Sequence, residues 1–390
     1  LGVPHLEGRA MRSVEERGNR FDMLRLTAAL AVFVAHGEFL YRLRLAEPFA
    51  GHSLGSLAVY VFFFMSGYLV CQSWMREPVW HAFWLRRLMR VFPGLIMAVV
   101  FSVFVIGWAM TSLDSPQYWQ SPQTWSHLIN NMTGQATVQI LPGVFESNPF
   151  AYTVNGSLWT LRYELAMYLV LATLAWLARG KRWIHPLMAG VLAILWQMAR
   201  VKGWDQGLDA IHTPLVDMFR WRDFCGFGVP FFLGSTMAAY GIRHRTWMAA
   251  AALVLAVCAL LTASTLMRQV AVWGLVACAS FYLAHAGHAA ASHRWRTDLS
   301  YGVYIYAFPV QQAMTAICLR EGWSLGICML LSLALTLGLA LMSWYGVERP
   351  CIQMAQRWLA LPGRRLGLQP ILDPALPVRG NASGHAAQDG

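Results

Sequence analysis

Ten apolar stretches, each close to the ~20 residues that an α-helix needs to cross the hydrocarbon core of a bilayer, follow one another between residues 21 and 346. Only 13% of the 390 residues are charged and 57% are hydrophobic, and so few charges cannot cover the surface of a soluble protein of this length. We therefore predict an all-α integral membrane protein, a polytopic bundle of about ten transmembrane helices. The predicted spans are residues 21–40, 54–74, 92–111, 157–178, 183–199, 224–241, 247–265, 269–286, 299–318 and 325–346.

The distribution of basic residues predicts the orientation of this bundle. With both termini in the cytoplasm, 20 of the 30 Lys and Arg residues fall in cytoplasmic segments and 8 in outer loops, as the positive-inside rule favours. We expect a cytoplasmic N-terminal segment (1–20) without a cleavable signal peptide, a transmembrane domain (21–346) and a cytoplasmic, largely disordered tail (347–390). The outer loop, 112–156, contains no Lys or Arg and is either an ordered cap with a binding surface or a passive connection.

The net charge of +11 and the seven cysteines raise two other possibilities, which the sequence disfavours. The basic residues lie between apolar runs and form no basic domain, so we expect contacts with anionic membrane lipid and no nucleic-acid partner. No two cysteines form a Cys-x-x-Cys pair, so neither a zinc site nor a disulfide framework is indicated, and no metal is expected.

Ionisable residues inside the spans are the first candidates for function, because a charge there costs ~2.5–3.5 kcal/mol on insertion scales. Arg25 and His36 are eleven residues apart, which places them on one helical face, about 16 Å apart along the axis. Helix rise also predicts that Glu164 lies at the depth of His36, where a carboxylate would orient the imidazole as a general base. The alternatives are a snorkelling Arg25, a hydrogen-bonded His36, and a Glu164 that pairs with an arginine purely for structure.

Arginines before the third span form a candidate phosphate site at the cytoplasmic edge of the bilayer. Arg86, Arg87 and Arg90 lie there, and the last two share a helical face because they are three residues apart. Guanidinium groups suit phosphate oxygens. The alternative is topology-setting charge with contacts to anionic lipid.

Small and aromatic residues also stand at bilayer depth. Gly67, after Ser66 in the second span, and Gly302 in the ninth are expected to permit close helix packing. Tyr301 and Tyr304 share a helical face and could line a pocket.

Read in order, these motifs resemble the membrane-bound acyltransferase 3 family over about residues 20–352. One departure is the run Tyr306-Ala307-Phe308-Pro309, where many relatives carry a histidine. The matching elements are Asp22, Arg25 and His36; the run Phe62 to Tyr68; Arg87, Arg90 and Pro93; Asn155 to Leu161 with Glu164; Ser300 to Tyr304; and Glu348 to Pro350.

The resemblance implies an integral membrane O-acyltransferase of a bacterial-type inner membrane. It would move an acyl group, most often acetyl, from cytoplasmic acyl-CoA to a hydroxyl of a glycan or glycan-like acceptor. His36 would be the general base or an acyl relay, with Glu164 and Arg25 as the other catalytic residues. Homo-oligomerisation is left open.

The same resemblance and the placement of the residues assign candidates for binding. Acetyl-CoA, the implied donor, would contact Arg86, Arg87, Arg90 and Arg25. The acceptor would contact Ser66, Ser157, Trp159, Tyr301 and Tyr304.

Two other functions stay open on the residues alone. A transporter or flippase for a saccharide or lipid-linked substrate would also have about ten spans, intramembrane charges and a helix interrupted near Pro230. However, no two halves of the chain show matching interrupted helices, and the arginine pair would have no evident role in transport. A non-catalytic scaffold of a polysaccharide assembly complex is the third possibility.

Overall fold

The computed structural model describes residues 4–43, 47, 49–135, 138–203, 220–242, 245–285 and 297–360. Within these ranges the protein is helical and contains no β-strand. The helices are α1 (Pro4–Leu40), α2 (Leu54–Arg76), α3 (Trp80–Phe101, extended by a π-helical turn over Ser102–Gly107 and a last turn over Trp108–Met110), α4 (Ser115–Gln120), α5 (Pro122–Met132), α6 (Leu161–Leu177, preceded by a 3-10 helix over Gly156–Thr160), α7 (Ile184–Lys202), α8 (Trp221–Tyr240), α9 (Arg245–Leu261), α10 (Thr265–His285), α11 (Ser300–Glu321), α12 (Leu325–Ser343, followed by a π-helical turn over Trp344–Glu348) and α13 (Arg349–Ala360).

A helix covers each of the ten predicted spans, and the described residues include six that are long and apolar enough to cross a membrane. The helix over Thr246–Leu261 is apolar but shorter, and α6 has only 17 residues. In α11 the side chains of Gln311 and Gln312 are fully buried, so this helix packs polar groups inside the bundle. The all-helical membrane architecture is thus confirmed, whereas the ten-span count and the cytoplasmic termini remain predictions. The six helices of the described residues that are long and apolar enough to cross a membrane are Phe21–Leu40, Leu54–Arg76, Trp80–Met110, Ile184–Lys202, Thr265–His285 and Leu325–Ala360.

The two ends of the described chain are helical as well. The first helix begins at Pro4, so most of the N-terminal segment continues the first predicted span. After the last span the chain forms a π-helical turn and α13, which ends at Ala360. The remainder of the predicted tail, residues 361–390, lies outside the described residues.

A close helix contact in the core joins α2 to α8, and glycines make it possible. A Cβ atom added to Gly67 would lie 1.9 Å from the carbonyl oxygen of Phe231, and one added to Gly234 would lie 2.1 Å from that of Phe64. A Cβ at Gly302 would similarly lie 2.9 Å from Cα of Ala340 in α12. The predicted packing role of Gly67 and Gly302 is therefore confirmed.

The loop that is predicted to be outside, 112–156, contains α4 and α5 in the part that the structure describes, and its last segment enters the bundle. The side-chain amide of Asn148 donates to Oε1 of Gln312 (2.7 Å), whose own amide donates to the carbonyls of Phe150 and Thr153 (2.7 Å each). Deeper in the bundle, Nδ2 of Asn155 donates to the carbonyl of Ile305 (2.9 Å). The chain therefore descends beside α11 before the helix that carries Glu164 begins.

One cysteine pair corrects a sequence expectation. Cys318 at the end of α11 and Cys328 in α12 form a disulfide across the turn that joins the two helices. The search for Cys-x-x-Cys pairs missed it because these residues are ten apart and meet only when the two helices fold back on each other. The expectation of no disulfide was therefore wrong.

We predict that Gly67→Ala destabilises the protein, because the new methyl group would collide with the backbone of α8 rather than with a movable side chain. The control is Gly338→Ala, where a Cβ meets nothing within 4 Å and the helix gains up to about 1 kcal/mol of propensity. Thermal unfolding in detergent should show a lower Tm for Gly67→Ala and an unchanged or higher Tm for Gly338→Ala. Equal Tm values in the two variants would contradict the proposed α2–α8 contact.

Candidate active site

An internal cavity lies between α1, α2, α11 and the start of α6. It is partly open, has a volume of about 50 Å³ and has a mixed lining of aromatic, aliphatic and charged side chains. Of the predicted site residues, the cavity brings together Arg25, Glu164, Tyr301 and Tyr304. The other lining residues are Val59, Phe62, Phe63, Thr160, Leu161 and Ser300.

Two arginines at this end of the bundle share one carboxylate. Oδ2 of Asp298 accepts from Arg25 (3.2 Å) and from Arg90, and Arg90 also pairs with Glu348 (3.3 Å). The hydroxyl of Ser300 donates to Oδ1 of Asp298 (2.5 Å). Burial alone would raise the pKa of Asp298, but Arg90 and Arg25 outweigh it and hold this pKa below its usual range.

This ion-pair cluster includes two arginines of the predicted donor site. Arg90 is predicted to bind the phosphates of the donor and Arg25 to contact the donor arm, and both are paired with Asp298. Sequence reasoning missed Asp298, which stands just before the ninth predicted span. The sequence does contain a signal for it. Asp298 is an acidic residue at the edge of an apolar run, on the predicted cytoplasmic side, where the arginines had no predicted carboxylate partner.

Glu164 lies in the cavity and is held by two hydroxyl groups. Its Oε1 accepts from Ser66 (2.7 Å) and from the hydroxyl of Tyr168. Arg87 is near enough to interact electrostatically with Glu164 and Tyr168, and its buried Nε has no hydrogen-bond partner among the described residues. An unsatisfied buried guanidinium nitrogen favours an additional acceptor, such as an oxygen of a bound anion.

The expected pairing of Glu164 with His36 is wrong. The estimate of depth assumed that the fourth span starts at the outer surface near Ser157. Instead, Asn155 bonds to Ile305, which is six residues or ~9 Å along α11 from Gln311, the partner of His36. Because α6 starts that far inside the bundle, Glu164 lies at the level of Arg25.

The imidazole of His36 lies eleven residues beyond Arg25 along α1, beside the middle of α11. Its Nδ1 is 3.3 Å from Oε1 of Gln311, and its ring meets Phe308 edge to face, with the ring centroids 5.0 Å apart. The side chain is half-buried, and no hydrogen bond from the described residues reaches Nε2. One ring nitrogen therefore contacts the protein, while the other has no hydrogen-bond partner among the described residues.

The remaining predicted site residues make different kinds of contact. Arg86 pairs with Glu77 near the surface and does not enter the cavity lining. Trp159 packs on Tyr163 and Phe227. The three hydroxyl-bearing residues differ: Tyr301 donates to the carbonyl of Val91 (2.7 Å), Tyr304 bonds to Thr160 (2.6 Å), and the buried hydroxyl of Ser157 has no partner among the described residues.

The described part of the chain contains no group of three or more His, Cys, Asp or Glu side chains that could hold a metal ion. The ionisable residues around the cavity are instead arranged as ion pairs and hydroxyl–carboxylate bonds.

The fold and its polar interior define a multi-pass membrane protein with an internal site, and comparison with known proteins identifies its family. The profile of the acyltransferase 3 family, described as an acyltransferase domain, matches residues 19–344. The chain therefore belongs to this family and is an enzyme that transfers acyl groups other than aminoacyl groups. The family predicted from the motifs is confirmed.

Two curated proteins are similar to the chain over most of its length. An O-acetyl transferase of Shigella phage Sf6 is 28% identical over 353 residues, which cover 88% of this chain and 99% of the relative. Nodulation protein 10 of Rhizobium leguminosarum bv. viciae is 26% identical over 385 residues, covering 90% of this chain and 96% of the relative. No solved structure matches the chain.

We predict that Asp298→Asn destabilises the protein strongly, because it preserves the shape of the side chain but removes the charge that Arg25 and Arg90 share. Breaking a buried ion pair from one side costs about 3–5 kcal/mol. The control, Glu77→Gln, removes the exposed partner of Arg86 and should cost at most about 1 kcal/mol. Unfolding in detergent measures both, and equal effects would show that the cluster does not stabilise the bundle.

Proposed function

We propose that the protein is an O-acyltransferase that moves an acetyl group from cytoplasmic acetyl-CoA to a hydroxyl of a glycan or glycan-like acceptor. The proposal rests on family membership, on a relative named as an O-acetyl transferase, and on the internal site. The observation that carries it is the half-buried imidazole of His36, which offers a free ring nitrogen inside the bundle.

In this reaction His36 is the general base. Its Nε2 takes the proton from the acceptor hydroxyl while the hydroxyl oxygen attacks the carbonyl carbon of the thioester. The new C–O bond replaces the C–S bond, and the imidazolium returns the proton to the departing thiolate. His36 ends the cycle neutral, so no other proton donor is required.

The donor end of the site is assigned to Arg87. It is the arginine of the predicted set whose buried nitrogen lacks a partner among the described residues, whereas Arg25, Arg86 and Arg90 are each paired with a carboxylate. These residues fit an anionic donor through one arginine rather than four. Arg25 and His36 then stand at the two ends of one face of α1, ~16 Å apart, along which an extended acyl-bearing arm can lie.

The acceptor end is assigned to the segment of the outer loop that enters the bundle. Ser157, the serine with the unpartnered buried hydroxyl, follows Gly156, which packs on the ring of Phe308 beside His36. Its hydroxyl is available to bond a hydroxyl of the acceptor. Trp159 is engaged in aromatic packing and serves this site by supporting the loop.

Glu164 is assigned to charge balance. Its contacts with Ser66 and Tyr168 and its proximity to Arg87 support a role beside the donor rather than beside the imidazole. A carboxylate there compensates the guanidinium before the anion arrives.

We further propose that the protein is in a bacterial-type inner membrane with both termini in the cytoplasm. The excess of basic residues in the predicted inner segments supports this orientation. The disulfide between Cys318 and Cys328 supports it as well, because the turn between them is predicted to be outside and disulfides persist in oxidising compartments.

We predict that His36→Ala lowers acetyl transfer by at least ~10²–10⁴-fold, the usual contribution of a general base. His185→Ala is the control, since it removes another buried imidazole, bonded to Ser235 and outside the site. Surface glycans of cells that produce each variant would be analysed for acetyl groups by mass spectrometry, at equal amounts of membrane-inserted protein. Full acetylation with His36→Ala would contradict the proposal.

A further inference from the structure

We propose that Gln311 is a positioning residue for catalysis, whose side-chain amide fixes His36 in the tautomer that leaves Nε2 free to accept a proton. This inference rests on the proposed role of His36 as the general base. It assigns to an uncharged amide the task that a carboxylate performs in a serine-hydrolase triad.

The first step is the orientation of the amide. The side-chain Nε2 of Gln311 lies 3.0 Å from the carbonyl oxygen of Phe33. A carbonyl oxygen can only accept a hydrogen bond, so the NH₂ group of the amide must be the end that faces Phe33. The oxygen Oε1 is therefore the end that faces His36.

The second step is the tautomer of the imidazole. Oε1 of Gln311 is 3.3 Å from Nδ1 of His36, and an amide oxygen can only accept. Nδ1 must then carry the hydrogen, and in a neutral imidazole the lone pair is on the other nitrogen. The amide thus selects the form of His36 in which Nε2 is a base.

The third step is rigidity. The side chain of Gln311 is fully buried, and its amide nitrogen is held by the carbonyl of Phe33 (3.0 Å). Phe308 meets the imidazole ring edge to face at an interplanar angle of 78° and packs in turn against Phe150. The amide and the aromatic ring therefore restrain the imidazole from two directions.

The fourth step is the choice of an amide over a carboxylate. An ionised carboxylate at this depth would carry the cost of an intramembrane charge and would favour the protonated imidazolium. An imidazolium cannot accept the proton of the acceptor hydroxyl. The amide of Gln311 supplies the same geometry without a charge, so the base stays neutral between turnovers.

The test compares three variants in inverted membrane vesicles from the producing cells, supplied with radiolabelled acetyl-CoA. Gln311→Leu removes the amide oxygen that accepts the hydrogen bond from Nδ1 of His36. Gln311→Glu replaces the amide with a carboxylate of nearly the same shape. Thr315→Val is the matched control, because it removes a buried hydrogen bond one turn along α11 without touching the imidazole. Rates are measured against pH and donor concentration at equal protein content.

We expect Gln311→Leu to lower kcat by about 10- to 100-fold, the range found when the orienting partner of a metal-ligating histidine is removed, with KM for acetyl-CoA unchanged. In Gln311→Glu the acid limb of the pH–rate profile should move to higher pH, because the carboxylate favours the imidazolium. Thr315→Val should keep the kcat and pH profile of the unmodified protein. A purely structural role of Gln311 would not move the acid limb.

An unchanged acid limb in Gln311→Glu, together with a kcat of Gln311→Leu that equals that of Thr315→Val, would overturn this inference. If Gln311→Leu fails to insert, the pH profile of Gln311→Glu alone decides the question. Full activity of His36→Ala would instead contradict the proposed function. The two failures are distinguishable, because an inactive His36→Ala with unaffected Gln311 variants removes only the positioning role.

Discussion

The carboxylate of Asp298 is the interaction on which the rest of the site depends. It joins Arg25 of α1 to Arg90 of α3 at the start of α11, and Arg90 extends the cluster to Glu348 after α12. Charges inside a membrane protein must be compensated by partners, because lipid cannot solvate them. The pairing therefore fixes where α1 and α11 stand relative to each other.

That relative position decides the geometry at the other end of the two helices. Arg25 and His36 are eleven residues apart on α1, and Ser300 and Gln311 are eleven apart on α11. Eleven residues of an α-helix span about 16 Å. The ion pair between Arg25 and Asp298 therefore helps to align the imidazole of His36 with the amide of Gln311, about 16 Å further along the two helices. The ion-pair cluster and the imidazole lie at two ends of one pair of helices, even though no hydrogen bond among the described residues connects them.

Separation of the two ends suits a reaction between substrates on opposite sides of a membrane. The carboxylate of Glu164 and the nitrogen of Arg87 that lacks a partner among the described residues mark one end, and the imidazole of His36 marks the other. The outer loop closes the second end by bonding to Gln312 and Ile305 of α11. The same helix that positions the imidazole therefore also anchors the segment that we assign to the acceptor.

Helical periodicity was enough to predict the membrane bundle and the shared face of Arg25 and His36, because both depend on positions within one helix. The level of Glu164 could not be predicted in the same way, since it depends on how deeply the preceding loop descends along α11. Gln311 could not be predicted as a site residue, because a glutamine in an apolar run carries no charge. Its proposed role depends on a contact with His36, 275 residues away in the sequence. Asp298 lay just outside a predicted span, so the search for charges within spans passed over it.

The central claim is that the acyl group reaches His36 from an anion site at Arg87. The most direct measurement is a cryo-electron microscopy structure in lipid nanodiscs with a thioether analogue of acetyl-CoA, which binds but cannot transfer its acyl group. The account predicts phosphate oxygens within hydrogen-bonding distance of Arg87 and the acyl carbonyl within about one helical turn, ~5 Å, of Nε2 of His36. An acyl group that lies beside Glu164 with His36 remote, or phosphates bound at the outer face, would contradict it.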